Sequence, residues 1–233
     1  EEADVEEYYN GYANKTLWPL FHYRTDIAAY DRAFNQGYQR VNRRFAEILR
    51  PLIQPDDVIW VHDYHLIPLA RELRRLGVKN RIGFFLHVPW PAHQVFITLP
   101  EHARLVESMF DYDLVGFQTA EYAQAFEEYV LAEAGGSQPS PGLLKAFGRT
   151  LRTGAFPIGI DTKDFARMAK SARAARMRDL MTACTVFRNL IVGVDRLDYS
   201  KGLEERFTGF ERVLHNNPDL RREVLMLQIA PVS

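Results

Sequence analysis

Apolar residues recur at Phe34, Tyr38, Val41, Phe45 and Ile48, three or four positions apart. That spacing predicts an amphipathic helix over residues 31–49, with Gly37 weakening its early turns and Pro51 ending it. The pattern then changes period. A β-branched run over 57–62 reads as a buried strand, and 66–76 returns to helical spacing with Gly77 in the C-cap position. A second buried strand is expected over 81–86, followed by the turn Val88-Pro89-Trp90-Pro91. Next come a helix over 100–109 with Pro100 at its first position, a strand over 114–117, and a helix to residue 133 capped by Thr119. Gly, Ser and Pro make 134–142 a surface loop. Beyond it the chain reads as a strand (149–156), a turn opening a helix (157–161), a basic helix (170–181), a buried strand (189–194), a helix (203–214) and a strand (224–229). Strands alternating with helices through short connections predict an α/β chain built on doubly wound parallel sheets. The sheet order restarts near residues 161–174, which places a domain boundary at 168/169.

Composition narrows this picture only modestly. The chain has 233 residues, 47% hydrophobic and 25% charged, values ordinary for a globular protein. A formal charge of −1 offers no basis for binding nucleic acid or an anionic membrane, so any phosphate recognition must come from locally placed cations. The single cysteine, Cys184, excludes an intrachain disulfide framework and fits a reducing cytoplasm. No apolar run approaches the roughly 20 residues of a membrane span, and the acidic start does not have the form of a signal peptide. The sequence stops straight after a strand-like run, at Ala230-Pro231-Val232-Ser233, which leads us to expect a fragment. Homo-oligomerisation is left open.

The strongest chemical signal is Asp195-Arg196-Leu197-Asp198-Tyr199-Ser200-Lys201-Gly202, between a predicted strand and a predicted helix. Ligands of open α/β sheets bind at that edge. Two cations beside a helix N-terminus suit a phosphate or diphosphate. The plainer reading is a solvated loop whose cations pair with Asp195 and Asp198. His62-Asp63-Tyr64-His65 and Leu86-His87 end neighbouring strands, so Asp63 and His87 can face one ligand, the carboxylate accepting from sugar hydroxyls. The plainer reading makes His62 and His65 core or capping residues and Asp63 an N-cap, and for His62 it is preferred. A metal site on His62, Asp63, His65 and His87 competes weakly, because such pairs are usually mounted on helices. Asp111-Tyr112-Asp113 has the DxD form of some metal-dependent transferases but precedes a strand, so solvated turn carboxylates are the expectation. Residues 9–23 are dense in aromatics without strand alternation. Phe21 and Tyr23 are expected in a buried cluster, whereas Tyr9 and Trp18 stay open to stacking on a sugar.

Taken together these runs resemble the trehalose-6-phosphate synthase family, retaining glycosyltransferases of the two-domain GT-B fold (family 20). The resemblance rests on Tyr9 to Arg24, Trp60 to Leu66, Arg81 to Pro89, Asp113 to Thr119, Pro157 to Ile160 and Arg196 to Leu203, in family order and over nearly the whole chain. It implies two Rossmann-like domains: an acceptor-binding one over 1–168, lacking its start, and the beginning of a nucleotide-sugar domain over 169–233. It implies transfer of glucose from a nucleotide diphosphate glucose to glucose 6-phosphate, with no cofactor and no metal. Tyr9 and Trp18 would contact the acceptor phosphate, Asp63 the acceptor hydroxyls, and His87 the donor glucose. Arg196 and Lys201 would bind the donor diphosphate and assist catalysis with His87. The family's Gly-rich donor loop, its acceptor-binding arginine, its acidic donor motif and a second phosphate-binding arginine fall outside this stretch, so the 233 residues alone are expected to be inactive. Two other readings compete: a non-catalytic scaffold relative in a trehalose-synthesis complex, and a GT-B nucleotide-sugar epimerase. The donor base is not specified.

Overall fold

The computed structural model describes residues 2–185 and 189–231; the Val232-Ser233 end lies outside them. Two compact units divide between Ile158 and Gly159, ten residues before the expected boundary.

The first unit opens on one helical segment: α1 (Glu2–Asp4), a wider π-wound stretch over Val5–Leu17, and α2 (Trp18–Phe21). Aromatic density without alternation here is a helix buried along one side. Next come α3 (Arg32–Leu49), β1 (Ile59–His62), α4 (Leu69–Arg75), β2 (Ile82–Phe85), α5 (His93–Phe96), α6 (His102–Met109), β3 (Leu114–Phe117) and α7 (Ala120–Ala132). Asp31 caps α3 through its carboxylate, which accepts from Ala33 N at 2.7 Å, and Thr119 caps α7, accepting from Tyr122 N at 3.3 Å. Gly37 is required rather than merely tolerated: a Cβ there would stand 2.4 Å from Glu7 Cβ, so its absence lets the opening helix lie against α3. Pro100 sits in the turn before α6 instead of at its first position; Glu101 is the N-cap.

β1, β2, β3 and β6 (Arg149–Ala155) pair in parallel, in that order. The expected loop at 134–142 instead contains β4 (Ser137–Ser140), which pairs antiparallel with β5 (Leu143–Ala146), itself antiparallel to β6. The sheet is therefore mixed. Its Gly and Pro content reads as loop, yet Pro139 is accommodated because β4 is the edge strand and a missing donor there costs no ladder bond.

One face of this sheet carries the core. Val61, Phe84, Val115 and Phe117 are buried with Leu73, Val106, Phe126 and Tyr129 from the helices. Trp90 lies in the Pro-rich turn, yet its ring is fully buried and meets Phe21, Phe96 and Phe126 at centroid distances of 5.6, 4.5 and 5.0 Å. The other face is uncovered among the described residues: Trp60 is 67% and Val58 73% exposed. β1 is thus buried on one side only, not on both as its continuous apolar run predicts.

The second unit holds α8 (Thr162–Ala169), α9 (Ala172–Thr185), β7 (Asn189–Val194), α10 (Leu203–Asn216) and β8 (Val224–Ile229). Asp161 caps α8, its Oδ1 accepting from Asp164 N at 3.0 Å. β7 and β8 pair in parallel through α10, a single βαβ crossover. β7 and β8 are both edge strands among the described residues, and Ile191, Val192 and Val194 of β7 are exposed where burial was predicted. No helix among the described residues is long and apolar enough to cross a membrane.

Candidate active site

The period of two along β1 puts Trp60 and His62 on the uncovered face and Val61 in the core. On β2, paired His62↔Phe85, His87 follows two residues later and emerges on the same side. His62 is therefore exposed at the carboxyl edge, not a core histidine. Its Nδ1 lies 2.9 Å from His87 Nε2, and the rings stack at 5.2 Å and 23°. Together with Trp60, Phe85, Leu114, Phe156 and others, the two imidazoles line a hollow of about 720 Å³.

Between these strands the chain turns at Asp63. Its N–H still donates to Phe85 O at 2.8 Å, continuing the ladder, but φ is +71° and ψ 164°. That region belongs almost wholly to glycine and costs on the order of 1–3 kcal/mol for any other residue. What holds it is the side chain: Asp63 Oδ1 accepts from Tyr64 N at 3.0 Å and, at long range, from His87 N at 3.4 Å. Asp63 is an N-cap, as the plainer reading held, and is also directed by its strained backbone toward the His87 turn. Asp63→Gly should therefore be more stable than Asp63→Ala by about 1 kcal/mol, since both lose the carboxylate but only glycine sheds the strain, less its own unfolded-state entropy. Denaturant unfolding of the two variants checks this; equal midpoints would show that the backbone stores no strain.

The opening helix meets the same turn. Tyr9 stacks on His65 at 5.6 Å and 16°, and Trp18 lies 5.8 Å from the Tyr64 ring. Tyr64 OH donates to Asn14 Oδ1 at 3.4 Å, linking helix to turn again. Tyr9 is half exposed and Trp18 half buried, so each keeps a face beyond its aromatic neighbour. Burial pushes the His65 imidazole below its usual pKa against the opposing charge of Asp63, which keeps it neutral near pH 7. The structure thus gathers Tyr9, Trp18, Asp63 and His87 around residues 62–65. Phe21 is buried as expected. Tyr23 is not: it is 55% exposed at φ +60°, its hydroxyl accepting from Ala92 N at 2.9 Å.

In the second unit, Arg196 and Lys201 occupy the loop after β7, which ends in a short 3₁₀ turn (Tyr199–Lys201) before α10. Gly202 at φ +60° makes the left-handed step that joins this turn to α10. Asp198 fixes the loop, accepting from Ser200 N at 2.8 Å. Its desolvation, which would raise the carboxyl pKa, is outweighed by the Ser200 bonds and by Arg196 and Lys201, so the group sits below the usual range. Asp195 does not pair with the loop cations: its Oδ2 takes Arg206 Nη1 at 2.6 Å, which holds its pKa down. Arg196 approaches Asp198 at 4.0 Å, and Lys201 forms no ion pair among the described residues. The loop therefore presents cations at a strand's carboxyl end and a helix's amino end, an arrangement suited to an anion.

Asp111 is not a solvated turn carboxylate, whereas Asp113 is exposed as expected, although it too is tied to the sheet. Asp111 is buried against Arg71 and Arg149, and Asp113 Oδ2 accepts from Ile82 N at 2.7 Å and Arg74 Nη2 at 3.1 Å. Both are structural ties at the amino end of β3. No group of three or more His, Cys, Asp or Glu among the described residues is arranged to hold a metal ion.

The parallel βαβ units, with polar side chains at their carboxyl edges, are Rossmann-like, and the solved structures they match are trehalose-phosphate synthases of the GT-B class. The chain belongs to glycosyltransferase family 20, whose family model matches residues 1–233. It is 50% identical over 232 residues to the trehalose-6-phosphate synthase of Sinorhizobium fredii, spanning all of this chain and 50% of that protein. Among solved structures it is similar to an α,α-trehalose-phosphate synthase (UDP-forming) from Burkholderia xenovorans in complex with glucose 6-phosphate, at 52% identity and TM-score 0.94 over 99% of this chain and 51% of that one. It is also similar to the E. coli protein bound with UDP-2-fluoro glucose, at 44% identity and TM-score 0.93, covering all of this chain and 52% of that one. The chain spans about half the length of the relatives it matches.

Proposed function

We propose that the gene product carrying this sequence transfers glucose from UDP-glucose to glucose 6-phosphate with retention, yielding α,α-trehalose 6-phosphate and UDP. The observation that carries this reading is similarity along the whole chain to synthases, one bound to glucose 6-phosphate and one to a UDP-glucose analogue. The site chemistry supports it. Asp63 accepts from acceptor hydroxyls, Tyr9 and Trp18 offer a hydroxyl, an indole N–H and ring faces to the phosphorylated hexose, and His87 stands by the donor glucose. Arg196 and Lys201 bind the donor diphosphate.

The donor C1–O bond to the β-phosphate breaks as the acceptor's anomeric oxygen attacks C1 from the same face. That oxygen's proton passes to the departing β-phosphate. Charge builds on the phosphate as the bond breaks, so two fixed cations stabilise the transition state more than the ground state. Neither the scaffold nor the epimerase reading is favoured, because the relatives are named as synthases and the acceptor-side residues stand together. Phosphorylated substrates and a lone cysteine suit the cytoplasm.

The test is UDP release by the whole gene product. Turnover should require both UDP-glucose and glucose 6-phosphate, with plain glucose a poor substitute. Consumption of donor without acceptor would point to the epimerase class, and no turnover to the scaffold. The 233 residues by themselves should release no UDP.

A further inference from the structure

We infer that His62 is a positioning residue that holds His87 as an Nε2–H tautomer, leaving His87 Nδ1 as a hydrogen-bond acceptor for a donor-sugar hydroxyl. This inference rests on the proposed place of His87 beside the donor glucose. The motif His62-Asp63 draws attention to the aspartate, and nothing in the reaction above uses His62. The geometry gives it a task. Its Nδ1 and His87 Nε2 are 2.9 Å apart, a distance that requires one nitrogen to carry a proton and the other a lone pair. Neutral imidazole prefers its proton on Nε2. With both rings in that form, His87 Nε2–H donates to His62 Nδ1 and neither ring takes its less favoured tautomer. The reverse arrangement would force His62, and with it His87, to carry the proton on Nδ1.

The rings are also fixed in place. Trp60 packs on His62 at 4.4 Å, and the Phe85 ring meets His87 at 4.8 Å and 63°. Trp60, His62 and Phe85 come from two adjacent strands in the register that pairs Trp60 with Gly83 and His62 with Phe85, and His87 follows the second of them. Gly83 leaves only the Trp60 ring near its own Cβ position, at 3.8 Å. A partner that fixes the tautomer and orientation of a functional imidazole acts as outer ligands do in metal sites, where their loss typically costs about 10- to 100-fold in activity.

The experiment uses the whole gene product with ¹⁵N-labelled histidine. In the unaltered protein, His87 Nε2–H should show a ¹⁵N–¹⁵N coupling across the hydrogen bond to His62 Nδ1, and His62→Ala should abolish it. In kinetics, His62→Ala should lower kcat/KM for UDP-glucose about tenfold or more, with KM for glucose 6-phosphate and the melting temperature unchanged. His62→Asn, whose amide oxygen can occupy the Nδ1 position as an acceptor, should recover most of the loss. Absence of the coupling in the unaltered protein, or wild-type kinetics in His62→Ala, overturns the inference. Should the unaltered protein transfer nothing, the coupling still decides whether His62 holds His87, so the two readings fail separately.

Discussion

Replacing Lys201 with alanine should lower kcat for UDP release by about 10²- to 10³-fold, equivalent to roughly 2.7–4 kcal/mol of transition-state stabilisation. The argument is local. Lys201 closes the 3₁₀ turn after β7, one residue before the left-handed Gly202, so its stem starts beside the amino end of α10. It has no ion-pair partner among the described residues, whereas Asp195 is engaged by Arg206. Its charge acts on Asp195 and Asp198 only at longer range, helping to lower both carboxyl pKa values, so no direct ion pair must be broken before it meets a ligand. The side chain is half buried and holds no core together, so the variant should melt within about 0.5 kcal/mol of the parent protein. Lys201→Arg should recover only part of the rate, because a planar guanidinium does not reproduce a compact ammonium. A Lys201→Ala enzyme within tenfold of wild-type kcat would remove this residue from the reaction.

The second large effect concerns stability. Asp111→Ala should destabilise the first unit by about 3 kcal/mol, the low end of the range for breaking a buried ion pair from one side. Asp111 is 7% exposed, and its Oδ2 takes Arg71 Nε at 3.2 Å and Arg149 Nη1 at 3.1 Å. The Arg71 side chain is itself only 12% exposed, so removing the carboxylate strands a largely desolvated cation. Glu107, 3.2 Å from Arg71 Nη2, keeps part of that charge paired, which is why the upper end of the range is not expected. Thermal melting should fall by roughly 2–4 °C for each kcal/mol. Asp111 precedes β3 at the amino edge of the sheet, opposite the carboxyl edge that bears His62 and His87. Turnover per folded molecule at a permissive temperature should therefore be unchanged. A loss below about 1 kcal/mol would mean that the arginines are satisfied by water.

These two residues show different degrees of legibility. The place of Lys201 was readable because it depends on local order alone: an apolar run, a charged loop, then helical spacing. The same holds for Asp63 and His87 at successive strand ends, and for the caps Asp31 and Thr119. Asp111 was misread, since a carboxylate in a turn gives no sequence sign that Arg71 and Arg149 will close over it from 40 and 38 residues away. Tyr23 was misread for a related reason, and the burial of Trp90 had no local sign either. An aromatic in a Gly- or Pro-rich segment is buried or exposed according to what packs against it, not according to its neighbours in the chain.

The sequence by itself determined the α/β alternation, the strand ends that carry Asp63, His87, Arg196 and Lys201, and the family, because each depends on short-range period or on motifs a few residues long. Only the tertiary structure decided that β4 and β5 join the sheet antiparallel, that Tyr9 and Trp18 come to the 63–65 turn, that Asp63 bears a strained backbone, and that His62 meets His87. Those features depend on register and long-range contact. Strand pairing and packing are selected by the summed burial of a whole unit, which no local window of sequence contains.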